Sequence, residues 1–200
     1  MLVKAGDRFL GILALADIPR AGVRDVLDRL HQIGIRKTIM LTGDNERVAR
    51  AVADSIGLDE VKADLLPEDK VRVMEELNQR YEQVAMVGDG VNDAPAMARA
   101  TVGIAMGGAG TDVALETADV ALMADDLGKL PFAVSLSRAS RRIIRQNLWV
   151  SLGVVALLIP FTLFGWAGIG FAVLVHEGST LVVVINALRL LRYQDGDAQS

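Results

Sequence analysis

Two hundred residues with a formal net charge of −4 and a pI near 5.2 leave no basic face of the kind that nucleic acid requires, which argues against a nucleic-acid partner. The absence of cysteine excludes disulfides and any thiolate metal site within the chain, and fits a reducing cytosol. Charged residues lie mostly before Arg145, whereas 146–175 is a run of thirty residues without Asp, Glu, Lys, Arg or His. A bilayer span takes roughly 20 apolar residues, so that run is too long for a core helix. The opening ten residues contain no apolar stretch of the secretory type, so insertion would use internal spans.

In chain order, residues 8–16 read as a strand and 21–33 as an amphipathic helix with Val23, Val26, Leu27 and Leu30 on one face and Gly34 as its stop. A second strand over 35–41 runs into Thr42-Gly43-Asp44-Asn45, then a helix to Ile56 stopped by Gly57, then a strand around 61–65. Pro67 sits where a helix to about Arg80 begins, its missing N–H costing nothing at the first position. The apolar run 84–87 is broken by Gly88-Asp89-Gly90, after which Asn92, Asp93 and Pro95 open a helix ending near Ala100. A strand over 101–106, a Gly-rich loop 107–110, a short helix from Thr111 and a strand 119–123 complete the soluble part. Strands alternating with helices predict an α/β fold with a doubly wound parallel sheet.

From Gly128 the pattern is helical. Arg138, Arg141, Arg142 and Arg145 precede a first span over about 146–164, residues 165–168 make a turn, and a second span over 169–188 is ended by Arg189 and Arg192. Cationic flanks at both outer ends predict a two-helix transmembrane hairpin with the soluble part and both ends cytosolic, and a short polar tail to Ser200. The expected division is 1–127 soluble and 128–200 linker plus spans.

Three turns fall at strand ends on one edge of the predicted sheet, where open α/β sheets place ligands. A hydroxyl at Thr42 and an N–H at Gly43 can hold phosphoryl oxygens, Lys70 can neutralise charge on them, and Asp89 with Asp93 offers hard oxygen to Mg²⁺. Taken singly, each is an ordinary turn, helix cap or solvated lysine. His176-Glu177-Gly178-Ser179-Thr180 is a second polar cluster near mid-depth in the last span, where an ionisable group is costly and marks an ion path or a helix contact. His31 lies on a polar helix face and reads as solvated.

Thr42-Gly43-Asp44-Asn45, then Leu66-Pro67-Glu68-Asp69-Lys70, then Val87-Gly88-Asp89-Gly90-Val91-Asn92-Asp93-Ala94-Pro95 together resemble the phosphorylation domain of P-type ATPases, within the haloacid dehalogenase superfamily. Met106 to Val120 is similar to the heavy-metal branch, and the resemblance runs from Gly6 to Arg192. It implies a Rossmann-like sheet joined to membrane helices. It also implies that Thr42 and Gly43 contact the phosphoryl group, Lys70 screens it, Asp89 ligates Mg²⁺ with Asp93 and Asn92 in support, and Asp44 faces ATP. His176-Glu177-Gly178 is similar to the last-helix motif of a cobalt-type subgroup that also handles zinc or iron, which implies Glu177, His176 and Thr180 as ligands of a transported divalent metal, cobalt, zinc, cadmium or iron.

The departures bear on what the chain does alone. The family's nucleophile is the Asp of an Asp-Lys-Thr-Gly-Thr motif, absent from these residues; Asp17 has no Lys-Thr after it. In the family that strand lies between those ending at Thr42 and Gly88, so the sheet is expected to be incomplete, with two unpaired edges or a rearranged order. The reading is therefore part of an ATP-driven exporter of divalent heavy metals working through an aspartyl-phosphate, needing an N-terminal remainder and inactive alone. The alternatives are a non-catalytic subunit complementing such a piece, and a membrane-anchored phosphatase.

Overall fold

A computed structural model describes residues 2–6, 8–12, 19–88, 92–106, 117–123 and 126–193. Asp17, the Gly88-Asp89-Gly90 turn beyond Gly88, the Gly-rich loop 107–110, the helix expected from Thr111 and the tail after Tyr193 lie outside the described residues. The chain forms two compact units, 1–129 and 130–200.

The first unit opens on an antiparallel hairpin, β1 (Leu2–Ala5) with β2 (Arg8–Ile12). Helix α1 (Val23–Gln32) buries Val26, Leu27 and Leu30, three of the four positions predicted for its apolar face. Strand β3 (Ile39–Leu41) pairs in parallel with β4 (Glu60–Lys62) across α2 (Glu46–Ile56), which ends at Gly57 in the left-handed region, φ 82°. β3 is shorter than the predicted 35–41 because Thr38 is used otherwise. Its N–H and hydroxyl both donate to Asp59 Oδ2, at 2.6 and 2.8 Å, and its carbonyl accepts from the Asp59 and Glu60 N–H groups.

His31 Nε2 reaches the same Asp59 oxygen at 3.1 Å, so this histidine is partnered rather than merely solvated. Burial by itself would raise the Asp59 carboxyl pKa, but the Thr38 N–H, the Thr38 hydroxyl and His31 together hold it below the ordinary value. Next to it, the hydrogen bond from Lys37 lowers the Glu60 pKa.

Helix α3 (Pro67–Arg80) starts at Pro67, and the Asp69 carboxylate accepts the Leu66 N–H at 3.1 Å. Strand β5 (Ala85–Gly88) pairs in parallel with β6 (Val102–Met106), and β6 with β7 (Val120–Leu122). Helix α4 is only Ala94–Met97, not the longer helix predicted to Ala100. Its last turn tightens through Arg99 N–H to Ala96 and Ala100 N–H to Met97, and the chain re-enters the sheet at once. That return brings Gly103 so close that a Cβ there would stand 3.3 Å from the Met97 carbonyl oxygen.

Between them, α3, β5 and α4 enclose Met74, Met86, Ala96 and Met97, with Leu41 of β3 packed on the cluster. β3–β4 and β5–β6–β7 are separate hydrogen-bonded sheets that share this core. Among the described residues, neither β3 nor β5 has a strand on its second edge, the first of the two expected outcomes for an incomplete sheet.

In the second unit, helix α5 (Lys129–Leu163) and helix α6 (Ile169–Leu188) are joined through Gly165, φ 72°, and a 3₁₀ turn Arg189–Arg192 follows. Both helices are long and apolar enough to cross a membrane. The predicted spans match α6 at both ends, whereas α5 runs unbroken from Lys129, well before the expected 146. Trp166 closes the tip against Phe161 and Phe164, at ring separations of 5.4 and 5.3 Å. Large apolar side chains such as Trp149, Leu163 and Ile169 are more than 70 % exposed, surface that water does not favour and lipid or further helices do.

Candidate functional site

The carboxyl ends of β3 and β5 carry the predicted phosphoryl-handling residues. After β3, the Thr42 hydroxyl donates to Asp44 Oδ2 at 3.1 Å and accepts the Asp44 N–H at 3.1 Å, closing a tight turn before α2. Asn45 caps α2 by accepting the Val48 N–H at 3.1 Å, so Thr42 and Gly43 stand just before a helix N-terminus, where backbone dipoles favour an anion. The Thr42 hydroxyl proton is directed to Asp44, and among the described residues the Gly43 N–H has no acceptor.

This turn is joined to the start of α3. The Leu65 N–H donates to the Thr42 carbonyl at 3.1 Å, the Thr42 N–H donates to that of Lys62 at 3.0 Å, and a Cβ at Gly43 would stand 3.2 Å from the Leu65 carbonyl oxygen. Five residues on, Lys70 Nζ lies 2.7 Å from Asp93 Oδ1, with both side chains less than one-fifth exposed. The third loop is thereby tied to the second: Lys70, in the first turns of α3, meets Asp93 at the start of α4. Gly88 makes room for it, since a Cβ there would stand 2.9 Å from both Cβ and Oδ2 of Asp93.

One carboxylate oxygen of Asp93 is thus occupied by Lys70, and the other lies against the backbone at the end of β5. Asn92 is exposed beside it. Asp89 lies outside the described residues, and among those described no three acidic or histidine side chains converge as a metal-binding group. Asp93 and Asn92, the described residues there, offer oxygen and no sulfur, the donor type that a hard cation such as Mg²⁺ takes.

The second polar cluster lies on α6. His176 and Glu177 line a groove of about 360 Å³ between α5 and α6, together with Val155, Ile159, Thr162 and Val173. Thr180 lies outside that lining; its hydroxyl donates to the His176 carbonyl at 3.3 Å, and that of Ser179 at 2.7 Å, leaving oxygen lone pairs free. Sequence reasoning missed Thr162, which brings a hydroxyl to the same groove from α5. It also missed an amide cluster nearer the open end of the hairpin. Asn186 Nδ2 donates to Asn147 Oδ1 at 2.8 Å and to Gln146 Oε1 at 3.3 Å, and Arg189 donates to Asn186 Oδ1 at 3.0 Å. Asparagines at both open ends of apolar runs were the available signal.

Residues 2–101, half of the chain, match the haloacid dehalogenase-like hydrolase family. The chain belongs to that family. This haloacid dehalogenase-like chain is 47% identical over 195 residues to a cadmium-transporting ATPase of Staphylococcus aureus, covering 98% of this chain and 27% of that protein. With a zinc/cadmium/lead-transporting P-type ATPase of Escherichia coli (strain K12) it shares 50% identity over 192 residues, 96% of this chain and 26% of the relative. Its fold matches a zinc-transporting PIB-type ATPase solved in the E2·Pi state with a TM-score of 0.85 and 50% identity, over 95% of this chain and 31% of that structure. The chain spans about a quarter of the length of the curated relatives it matches. Its homologues are heavy-metal P-type ATPases, and the match extends through both apolar helices.

Proposed function

We propose that this chain is the part of an ATP-driven divalent-metal exporter that contacts and neutralises the transferred phosphoryl group with its first unit and helps to bind the exported ion in its second. The observation that carries the first half is the Lys70–Asp93 ion pair, 2.7 Å long and largely shielded, beside the Thr42-Gly43 turn at the carboxyl edge of the sheet. A fixed ammonium, the backbone N–H of Gly43 and a helix N-terminus together favour a group with several anionic oxygens. Asp93 orients Lys70, Asp44 faces the nucleotide side, and Asp89, with Asp93 and Asn92 in support, holds Mg²⁺, which when bound neutralises phosphoryl charge. The nucleophilic carboxylate that forms the aspartyl-phosphate lies outside these 200 residues, in the remainder that the longer relatives contain.

In the hairpin, imidazole and carboxylate in one groove suit a borderline divalent ion, whereas copper(I) would call for sulfur that these helices do not bring to the groove. The relatives' names point to zinc and cadmium, and cobalt or iron rests on the His176-Glu177-Gly178 motif. Arginines at the open end of the hairpin orient that end, and the first unit with it, toward the cytosol.

The test places two variants in the full-length transporter carrying this sequence. Lys70→Met should abolish phosphoenzyme formation from ATP and leave metal binding intact; Glu177→Ala should lose bound Zn²⁺ in equilibrium dialysis while the protein still inserts. Unchanged phosphoenzyme in the first, or unchanged metal stoichiometry in the second, rejects the corresponding half of the assignment.

A further inference from the structure

At the open end of the hairpin a second groove of about 470 Å³ lies between α5 and α6. Polar groups form its outer rim, Gln146 and Asn147 on α5 with Asn186 on α6 and Arg189 at the start of the 3₁₀ turn, and Val150, Val182 and Ile185 line it toward the tip. Among the described residues the Arg189 guanidinium makes one hydrogen bond, to Asn186 Oδ1 at 3.0 Å, of the five donors that an arginine carries. Among the described residues no carboxylate pairs with Arg189. Arg142, four residues before Gln146 on α5, is exposed and lies outside the groove's lining. Residues 130–200, the second unit, hold six arginines against three acids, Glu177, Asp195 and Asp197.

We propose that this groove is a binding site for one anionic phospholipid, its phosphate on Arg189 and the amide rim and its acyl chain along Val150, Val182 and Ile185. The order of polarity carries the assignment: cation and amides at the headgroup level, then aliphatic wall toward the bilayer centre, is the order of a phospholipid read from head to tail. The charge selects an anionic headgroup over a zwitterionic one. An amide network that already cross-links the helices gives the rim a fixed shape. The inference rests on the hairpin's lying in a bilayer, which flotation of the chain with phosphatidylcholine vesicles reports separately.

The experiment is native mass spectrometry of the full chain in neutral detergent, titrated with equal amounts of phosphatidylglycerol and phosphatidylcholine. The first lipid retained should be phosphatidylglycerol, and Arg189→Gln should weaken its apparent affinity by about fivefold, the effect of one arginine at a lipid surface. Arg145→Gln removes the same charge two residues from Asn147, about 200° around the helix and away from the groove, and should change little. Val182→Trp fills the wall without altering charge and should lose the lipid. Equal losses in Arg145→Gln and Arg189→Gln would reduce the effect to general surface charge and overturn the site. No preference in the wild type, with phosphatidylcholine vesicles still binding the chain, would overturn it in favour of a protein helix as occupant.

Discussion

Gly88→Ala tests whether the contact at the end of β5 sets the position of Asp93. The glycine is not needed for backbone freedom, because its φ is not in the left-handed region; it is needed for space. An added Cβ would stand 2.9 Å from Asp93 Cβ and 2.9 Å from its Oδ2, about half an ångström inside the 3.4 Å at which ordinary contact begins. The carboxylate can rotate away, but the Cβ moves only with the start of α4, which is packed through buried Ala94, Ala96 and Met97. Overpacking of this kind costs about 1–3 kcal/mol, and replacing a strand glycine returns about 0.5–1, so a net loss of roughly 1–2 kcal/mol is expected. The variant should also lengthen or break the 2.7 Å bond to Lys70. Both tryptophans lie outside the first unit, so fluorescence is blind to this change, and amide hydrogen exchange of α3 and β6 in the full chain is the suitable assay. The decisive comparison is Gly88→Ala in an Asp93→Gly background, where the obstructing atoms are gone and the substitution should be neutral or stabilising. An equal cost in both backgrounds would refute the steric argument.

Three further outcomes follow from the same geometry. The chain by itself should take no acid-stable label from radiolabelled ATP, because no Asp-Lys-Thr-Gly-Thr occurs in it; stable label would favour a self-sufficient phosphatase. The depressed Asp59 carboxyl contributes stability that is fully present above about pH 4 and is lost as pH falls through its folded value, and Glu60 acts in the same direction. The stability difference between wild type and Asp59→Asn, read from urea midpoints, should therefore shrink from about pH 6 to about pH 3, and a constant difference would contradict it. Asp64 holds a left-handed backbone, φ 54°, so Asp64→Ala should cost about 1 kcal/mol while Asp64→Gly stays within about 0.5 of wild type; equal costs would show that the side chain, not the backbone, matters there.

Local signals were the legible ones. Pro67 and Gly57 marked a helix start and a helix stop within a residue, and thirty uncharged residues announced the hairpin. The loops that form the site were readable because three turn motifs occur in a fixed order. What they do to one another was not, since Lys70 and Asp93 are 23 residues apart and nothing local in either predicts an ion pair. The same holds for His31 and Asp59, 28 residues apart, whose contact accompanies the loss of Thr38 from the predicted strand. The Leu2–Ala5 strand was missed because four residues without a flanking pattern are identified only by their partner in β2. Thr162 and the Asn147–Asn186 pair depend on the rotation of two antiparallel helices, which an apolar run does not encode residue by residue.

The open second edges of β3 and β5 bear on how the chain behaves in a test tube. Among the described residues no strand receives the backbone N–H and C=O groups of either edge, and Leu41 and Met86 place both edges over one shared apolar cluster. Such a pair of edges is a template: an extended segment of any chain that reaches it gains hydrogen bonds on both flanks and a floor of methionine to cover. With three and four residues, the strands are too short to hold a stranger tightly. Concentrated preparations should therefore self-associate weakly and reversibly through this seam, and a peptide strand that seats in it should make them monodisperse.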